Sequence, residues 1–364
     1  AYEISACLVG AEMCIRDRYV ARKLTGEDLL TDETGNRVRD IDFENNFNAL
    51  EATARLNYNF TQKLSLWSAY NLSNNAPDVR QLSPYLDVSD PINTVQGNPN
   101  LSPTNSHNFN MGVNNYDWET RSGLYSYFGA TFTNDQVVNL TTVDDNFVRS
   151  TTFTNVDGVY NAYGNLGYNK DYKLDSLRTL KVEVGMSGGI NRFVNFFNAD
   201  QYASITKSIS PSLGLRFTWT DWFELRPEYR ISFNETTFNR DFFDGQEFTQ
   251  HNARLRTTTY FPEWLTWEND IRYTYNPNVG AGFQRDAVFW NTSLAYSFLN
   301  NKAIATFKVY DLLNQNTNSR RTATQSYIED VQSTVLQQYF MLSFSYKFNT
   351  LGKKGEVREN GWWD

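Results

Sequence analysis

The chain has 364 residues and no break in composition along its length, which favours one large structural unit over two separate domains. Aromatic residues make up 16% of it, with 26 Phe, 22 Tyr and 9 Trp, yet the mean hydropathy is -0.57, so apolar side chains are abundant but dispersed. The net charge of -8 argues against nucleic acid, which requires clustered Lys and Arg, and no run approaches the roughly 18–20 apolar residues of a membrane helix.

The first 18 residues differ in texture from the rest of the chain. Residues 5–18 contain both cysteines, Cys7 and Cys14, and resemble translated sequencing-adapter read-through. We therefore predict that 1–18 is a non-native N-terminal segment. The alternative is a short upstream strand and turn, and on either interpretation we expect no function for this segment.

From residue 19 to 348, apolar and polar residues alternate in one segment after another. The clearest segment has Phe223, Leu225, Tyr229, Ile231 and Phe233 alternating with Glu224, Arg226, Glu228, Arg230 and Ser232. Successive side chains of a β-strand point to opposite faces, so such a segment has one apolar and one polar face. The pattern predicts about fourteen strands, at 18–26, 50–60, 64–72, 106–116, 123–141, 148–170, 179–195, 199–218, 222–237, 246–260, 264–276, 284–298, 302–316 and 334–348.

A soluble β-sandwich also alternates in this way, with its apolar face in a core. Three features favour a membrane instead. The predicted strands exceed the usual globular length of about five or six residues and suffice for a tilted crossing of about 9–11. Tight connections alternate with long ones, and aromatic residues gather near strand ends, as at Trp219, Trp222 and Trp264. We predict an all-β fold, a transmembrane antiparallel up-and-down β-barrel with lipid on its apolar side.

One long segment, about 74–105, departs from the alternation and holds five of the nine prolines. Proline removes a ladder donor, so we predict an ordered loop here rather than a strand. Its candidate functional residues are Arg80, Asp90, Asn98 and Pro99. The closing strand is also distinctive, because 338–348 sets Phe340, Leu342, Phe344, Tyr346 and Phe348 on one face.

These motifs carry a family resemblance. The loop motifs Gln81-Leu82-Ser83-Pro84, Asp90-Pro91-Ile92-Asn93 and Gly97-Asn98-Pro99-Asn100-Leu101-Ser102-Pro103 resemble those of a TonB-dependent receptor barrel, more narrowly the Bacteroidetes barrel family that follows a plug domain. The runs 309–316 and 327–330 and the closing strand match as well, whereas Thr104 replaces the Glu of the family pattern. The likeness covers about residues 45–352.

The resemblance implies a barrel of about 22 strands, with an N-terminal plug in its lumen and a segment that contacts the TonB complex. Neither is visible in this sequence, so we expect an incomplete, C-terminal part of such a barrel at 19–348, followed by a periplasmic tail at 349–364. The implied location is the outer membrane. The implied partners are its lipid, the plug, the TonB complex through that plug, and a scarce solute of unidentified class.

On the lumen side, charges of both signs lie on three successive predicted strands. This candidate lumen wall comprises Glu224, Arg226, Glu228, Arg230, Arg254, Arg256, Glu268, Asp270 and Arg272. One interpretation is a mutually neutralising ladder that hydrogen-bonds the plug and lumen water; the other is a substrate path or plug-docking wall. The two histidines, His107 and His251, are far apart, and no cluster has metal-ligand spacing.

We therefore expect no enzyme, no cofactor and no metal site, and we expect active uptake of a solute across the outer membrane. Two other hypotheses stay open on the sequence. The first is a structural or adhesive outer membrane barrel without transport, and the second is a secreted carbohydrate-binding β protein. An enzyme within a barrel is a weaker alternative, because no catalytic pair of residues is visible.

Overall fold

The computed structural model describes residues 2–8, 12–26, 43–241, 243–280, 282–315, 318–323, 328–333 and 337–348. In chain order its elements are β1 (Tyr2–Leu8), β2 (Glu12–Gly26), β3 (Phe43–Asn59), β4 (Leu64–Asn75), α1 (Val79–Leu82), β5 (Leu86–Asp87), β6 (Asn93–Gln96), β7 (Thr104–Asp117), β8 (Ser122–Asn134), β9 (Gln136–Val143), β10 (Arg149–Val156), β11 (Val159–Lys173), β12 (Arg178–Phe197), β13 (Asp200–Trp219), β14 (Phe223–Phe238), β15 (Gln246–Thr259), β16 (Leu265–Tyr275), β17 (Asp286–Phe298), β18 (Ala303–Tyr310), β19 (Asn318–Ala323), β20 (Ile328–Ser333) and β21 (Tyr339–Tyr346). No helix in these ranges is long and apolar enough to cross a bilayer.

Fifteen strands form one antiparallel sheet, which we call the wall. Its order is β1-β2-β3-β4-β7-β8-β11-β12-β13-β14-β15-β16-β17-β18-β21, so each wall strand pairs with the next wall strand along the chain. This meander confirms the predicted all-β, up-and-down architecture. The wall is an open sheet with β1 and β21 at its edges, and the total of about 22 strands stays a prediction.

Paired residues of an antiparallel sheet point to the same side, so the register traces each face across the wall. Glu228 on β14 lies opposite Gly214 on β13 and Arg254 on β15, and Arg256 lies opposite Asp270 on β16. All nine residues of the predicted lumen wall therefore share one side of the sheet. We call this side the polar face and the other side the apolar face.

The apolar face has the height of a bilayer. On β13 it presents in succession Ile209, Pro211, Leu213, Leu215 and Phe217, and Leu213 is 49% exposed. The apolar face ends at Lys207, the next residue on this face after Ile209. This lysine forms an ion pair of 3.1 Å with Glu235 of β14. Between that ion pair and Trp219, ten or so tilted residues cover the roughly 25 Å of an outer-membrane apolar band.

Aromatic rings follow the opposite end of the wall, where the connections are short. Trp222 stacks on Trp219 and on Phe261, with ring centroids 5.1 and 5.0 Å apart. The row continues on the next strands, where Trp264 contacts Tyr296 at 5.4 Å. Such a row of exposed Trp and Tyr marks the level of the lipid headgroups. We call this the short-turn end and the other the long-loop end.

Two predicted strands are each broken in two. The predicted strand 123–141 divides between β8 and β9 at Asp135, whose φ is 51°, and 148–170 divides between β10 and β11 before Val159, next to Gly158 with a φ of 75°. Positive φ ends a strand, so the chain leaves the wall at these points. Hairpin β9–β10 joins β5 and β6 in a separate four-stranded sheet, which we call the loop sheet.

The long loop is ordered, as predicted, and it also contains short regular elements. Asp78 and Gln81 form a reciprocal capping box on α1, which directs Leu82 inward. Leu82, 0% exposed, packs with Leu101 and Phe153 against Phe47 of β3. Phe47 lies four positions before Glu51, on the polar side of β3. The loop sheet thus folds over the polar face at the long-loop end.

The N-terminal strands belong to the wall. Strand β2 pairs with β3 along its length, from Glu12↔Asn57 to Gly26↔Phe43, and β1 pairs with β2. The non-native origin of 1–18 and the domain boundaries at 19 and 348 stay predictions. The predicted tail, 349–364, lies outside the described residues.

Candidate functional site

The centre of the charged region is Asp270 on β16. Its carboxylate accepts two hydrogen bonds from the Arg254 guanidinium, Nε to Oδ1 and Nη2 to Oδ2, each 2.8 Å long. Arg272 donates a further bond of 2.8 Å to Oδ2. This fork-to-fork geometry is among the strongest side-chain pairings and fixes the guanidinium plane of Arg254 against the wall.

Glu228 on β14 holds a second pair of arginines. The Arg256 Nη2 donates to Glu228 Oε1 at 2.6 Å, and the Arg226 Nε lies 2.9 Å from the same oxygen. The two clusters are adjacent, because Glu228 lies opposite Arg254 in the register. Six of the nine predicted residues, including Arg272, therefore form one network. We call this network the charge ladder.

The other predicted wall residues lie at its margin. Glu268 accepts a hydrogen bond of 3.0 Å from the Ser293 hydroxyl, Glu224 faces Arg216 at 3.8 Å, and Arg230 lies opposite Ser212. Three further charged residues, which were not predicted from sequence, continue the polar face onto β12 and β13: Lys181, Glu183 and Arg216. Only the register with β14 reveals them, because β12 and β13 carry few charges and alternate less clearly.

The charge ladder borders a cavity of about 600 Å³. Its lining combines arginines of the ladder with Asn269, Asn291, Ser293 and Lys308. Cationic groups outnumber carboxylates there, yet each arginine that lines this cavity already has an anionic partner. The arrangement can therefore position a solute or protein segment by hydrogen bonds without presenting a large unbalanced charge.

Replacing Asp270 with Asn should lower the free energy of unfolding by about 1–2 kcal/mol, since two arginines lose their anion. The carboxylate is 23% exposed, so solvent screening keeps the effect below the about 3–5 kcal/mol of a fully buried pair. Glu235→Gln is the matched control, because its single partner Lys207 and Glu235 itself are half-exposed. Urea unfolding of the full-length protein should show less than about 1 kcal/mol for that control. Equal losses in both variants would contradict the ladder.

The four candidate loop residues occupy separate positions, and three of them form hydrogen bonds within the loop or to its neighbours. Asn98 donates from Nδ2 to the Phe153 carbonyl at 3.0 Å, and the Pro99 carbonyl accepts from Asn45 at 2.8 Å. Asp90 accepts from the Asn93 side chain at 2.7 Å, whereas Arg80 lies on the exposed side of α1. These contacts tie the loop to β10 and β3. Nearby, hydrogen bonding by Ser89 lowers the pKa of Asp87 below its usual value.

A cluster of three aromatic side chains lies on the polar face, where the alternation rule expects polar residues. Trp67 of β4, Tyr127 of β8 and Tyr163 of β11 are in contact, with ring centroids 5.7 Å apart for the first pair and 5.6 Å for the second. The Tyr127 hydroxyl donates to Asn110 Oδ1 at 2.7 Å. We call these three rings the aromatic platform. Sequence reasoning missed it, although the position of Trp67 in the alternation of β4 was a visible signal.

Histidine chemistry is confined to two similar pairs. The His107 Nδ1 lies 2.8 Å from the Tyr70 hydroxyl, and the His251 Nδ1 lies 2.7 Å from the Tyr229 hydroxyl, both pairs on the apolar face. Within the described ranges, no group of three or more His, Cys, Asp or Glu side chains is arranged to hold a metal ion.

Comparison with known proteins gives one family. The profile of the outer membrane protein beta-barrel family matches residues 26–206 and 190–346, which is most of the chain. No curated protein sequence matches.

Solved structures resemble the wall distantly. The open form of the ferric-catecholate import receptor Fiu from E. coli K12 has 9% identity and a TM-score of 0.43, over 94% of this chain and 62% of that receptor. A Pseudomonas aeruginosa FadL homologue has 10% identity and a TM-score of 0.36, over 93% and 90%. The Pseudomonas putida toluene transporter TodX has 9% identity and a TM-score of 0.27, over 93% and 89%. The chain thus spans less than two thirds of the Fiu receptor.

Proposed function

This chain belongs to the outer membrane protein beta-barrel family and is located in the outer membrane, and from this premise we propose that it is the barrel of a TonB-dependent receptor-like transporter. Such a barrel takes up a scarce solute, with energy from an inner-membrane complex that acts through a plug. The loop motifs that resemble the Bacteroidetes receptor type support this narrower assignment.

The observation that carries the proposal is the two-sided wall. Its apolar face has a bilayer-sized band, while the polar face bears the charge ladder and is overlaid by the loop sheet at one end. A purely structural barrel needs only the apolar band and filled interior positions. We propose that the charge ladder contacts the plug, because paired, fixed guanidinium and carboxylate groups are suited to hydrogen-bonding another protein surface.

The test is energy-dependent uptake in the native host. We expect deletion of the complete gene to slow growth when one solute class, among siderophores, glycans, peptides and cobalamin, is the scarce nutrient. Complementation should restore growth, and loss of the inner-membrane energising complex should abolish that restoration. Uptake that persists without the complex would contradict the TonB-dependent assignment. Unchanged uptake of all four classes on deletion would favour a structural or adhesive barrel.

A further inference from the structure

The aromatic platform lies flat on the polar face. A Cβ added at Gly112 would overlap the Trp67 indole, and one added at Gly129 would lie 2.7 Å from the Tyr163 ring. Of the three rings, Trp67 and Tyr163 each therefore occupy the space above a glycine on a neighbouring strand, which holds the ring against the wall. Its other side stays open, since Trp67 is 39% and Tyr163 45% exposed. The rings thus present flat aromatic surface to the interior.

A groove of about 400 Å³ lies beside the platform, with Tyr163 as one of its walls. The remaining lining is made of amides, hydroxyls and glycine backbone, and its polar side chains include Asn161, Asn165, Asn191, Ser187 and Ser208. Among the residues that the structure describes, no Asp, Glu, Lys or Arg lines this groove. It differs sharply from the cavity at the charge ladder, whose lining contains several arginines.

Position separates these two regions of the polar face. The charge ladder lies in the halves of β14 and β15 nearest the short-turn end and around the middle of β16, whereas the groove lies from the middle toward the long-loop end of β11, β12 and β13. Register places Tyr163 beside the groove, because Tyr163 lies opposite Gly189, and Gly189 opposite Ser208. A solute that enters from the long-loop end therefore meets the uncharged, aromatic region before the charged one.

We propose that the aromatic platform and its groove bind a neutral oligosaccharide. Sugar rings carry C–H groups on their faces, which pack on exposed aromatic rings, and their hydroxyls both donate and accept hydrogen bonds, as amide side chains do. An anionic solute would lack a cationic partner in this groove. The inference rests on the proposed transport function and names the substrate class of the same barrel.

The test is calorimetric titration of the full-length protein in detergent with maltohexaose, cellohexaose and xylohexaose, and with trigalacturonate as the charged counterpart. We expect binding of at least one neutral probe and none of trigalacturonate. Tyr163→Ala should weaken that binding about tenfold or more, because a stacked ring is lost. Tyr163→Phe should retain most of it, which separates loss of the ring from misfolding.

Tyr168→Ala is the matched control. Tyr168 lies on the same strand and is equally exposed, at 45%, but it points to the apolar face, so its replacement should leave binding unchanged. The inference is overturned if no neutral probe binds at millimolar concentration, if trigalacturonate binds as well as they do, or if Tyr163→Ala binds like the wild type.

These results are separable from the uptake experiment. If the protein binds an oligosaccharide but uptake does not depend on the energising complex, the proposed TonB-dependent function is wrong and the inference about the aromatic platform stands. If uptake of another solute depends on the complex and no oligosaccharide binds, the proposed function stands and the inference about the aromatic platform is wrong.

Discussion

Leu82→Ala is expected to lower the free energy of unfolding of the loop sheet by about 2–5 kcal/mol. Leu82 is 0% exposed and contributes the centre of the core that joins the long loop to Phe47 of the wall. Truncation removes buried methyl groups and leaves a cavity that the capped helix α1 cannot close without losing its capping box. Limited trypsin digestion of the full-length protein measures the effect, since faster cleavage at Arg80 reports local opening.

Val79→Ala is the control for that measurement, because Val79 lies on the same helix and is half-exposed. We expect it to change the cleavage rate little. If Leu82→Ala and Val79→Ala were cleaved at the same rate, the loop would not be held to the wall by this core. Its placement over the polar face would then be wrong.

Leu213→Arg is expected to lower the free energy of unfolding of the barrel by about 2–4 kcal/mol. Leu213 lies at the centre of the apolar band on β13, between the Lys207–Glu235 ion pair and Trp219. A guanidinium at mid-bilayer depth loses its hydration and cannot easily reach either headgroup layer. Urea titration of the full-length protein in phospholipid vesicles, followed by tryptophan fluorescence, gives the difference.

Ser208→Arg, on the same strand, provides the comparison. Ser208 points to the polar face and borders the uncharged groove, where an added guanidinium keeps its contact with water. We expect a change of less than about 1 kcal/mol. If the two variants were equally destabilised, both faces of β13 would be in similar surroundings, and the assignment of the apolar face to lipid would fail.

Much of the wall could be predicted from sequence because its cause is local. Whether a residue such as Leu213 or Glu228 faces lipid or the interior depends on whether its position along the strand is odd or even. This can be read from the sequence without knowledge of the partner strand. The strand breaks at Asp135 and Gly158 were missed for the opposite reason. Both flanking segments alternate, and the positive φ that separates them is a property of the turn in its tertiary setting.

The candidate site was likewise predictable from the sequence only in part. The alternation of side chains predicted that Arg254, Arg256 and Asp270 share a face. The pairing of Arg254 with Asp270 also depends on their rotamers and on the register between β15 and β16. The loop residues Asn98 and Pro99 were selected by motif, and only their contacts with Phe153 and Asn45 show that they hold the loop in place.

By itself, the sequence determined that this protein is an alternating β wall with one apolar and one polar face, because side-chain direction in a strand follows from backbone geometry alone. The tertiary structure decided which residues meet across strands. It placed Trp67, Tyr127 and Tyr163 in contact, with Trp67 and Tyr163 over glycines, and folded Leu82 onto Phe47. These residues are brought together by register and chain return over tens of residues, and such separations leave no periodic trace in the sequence.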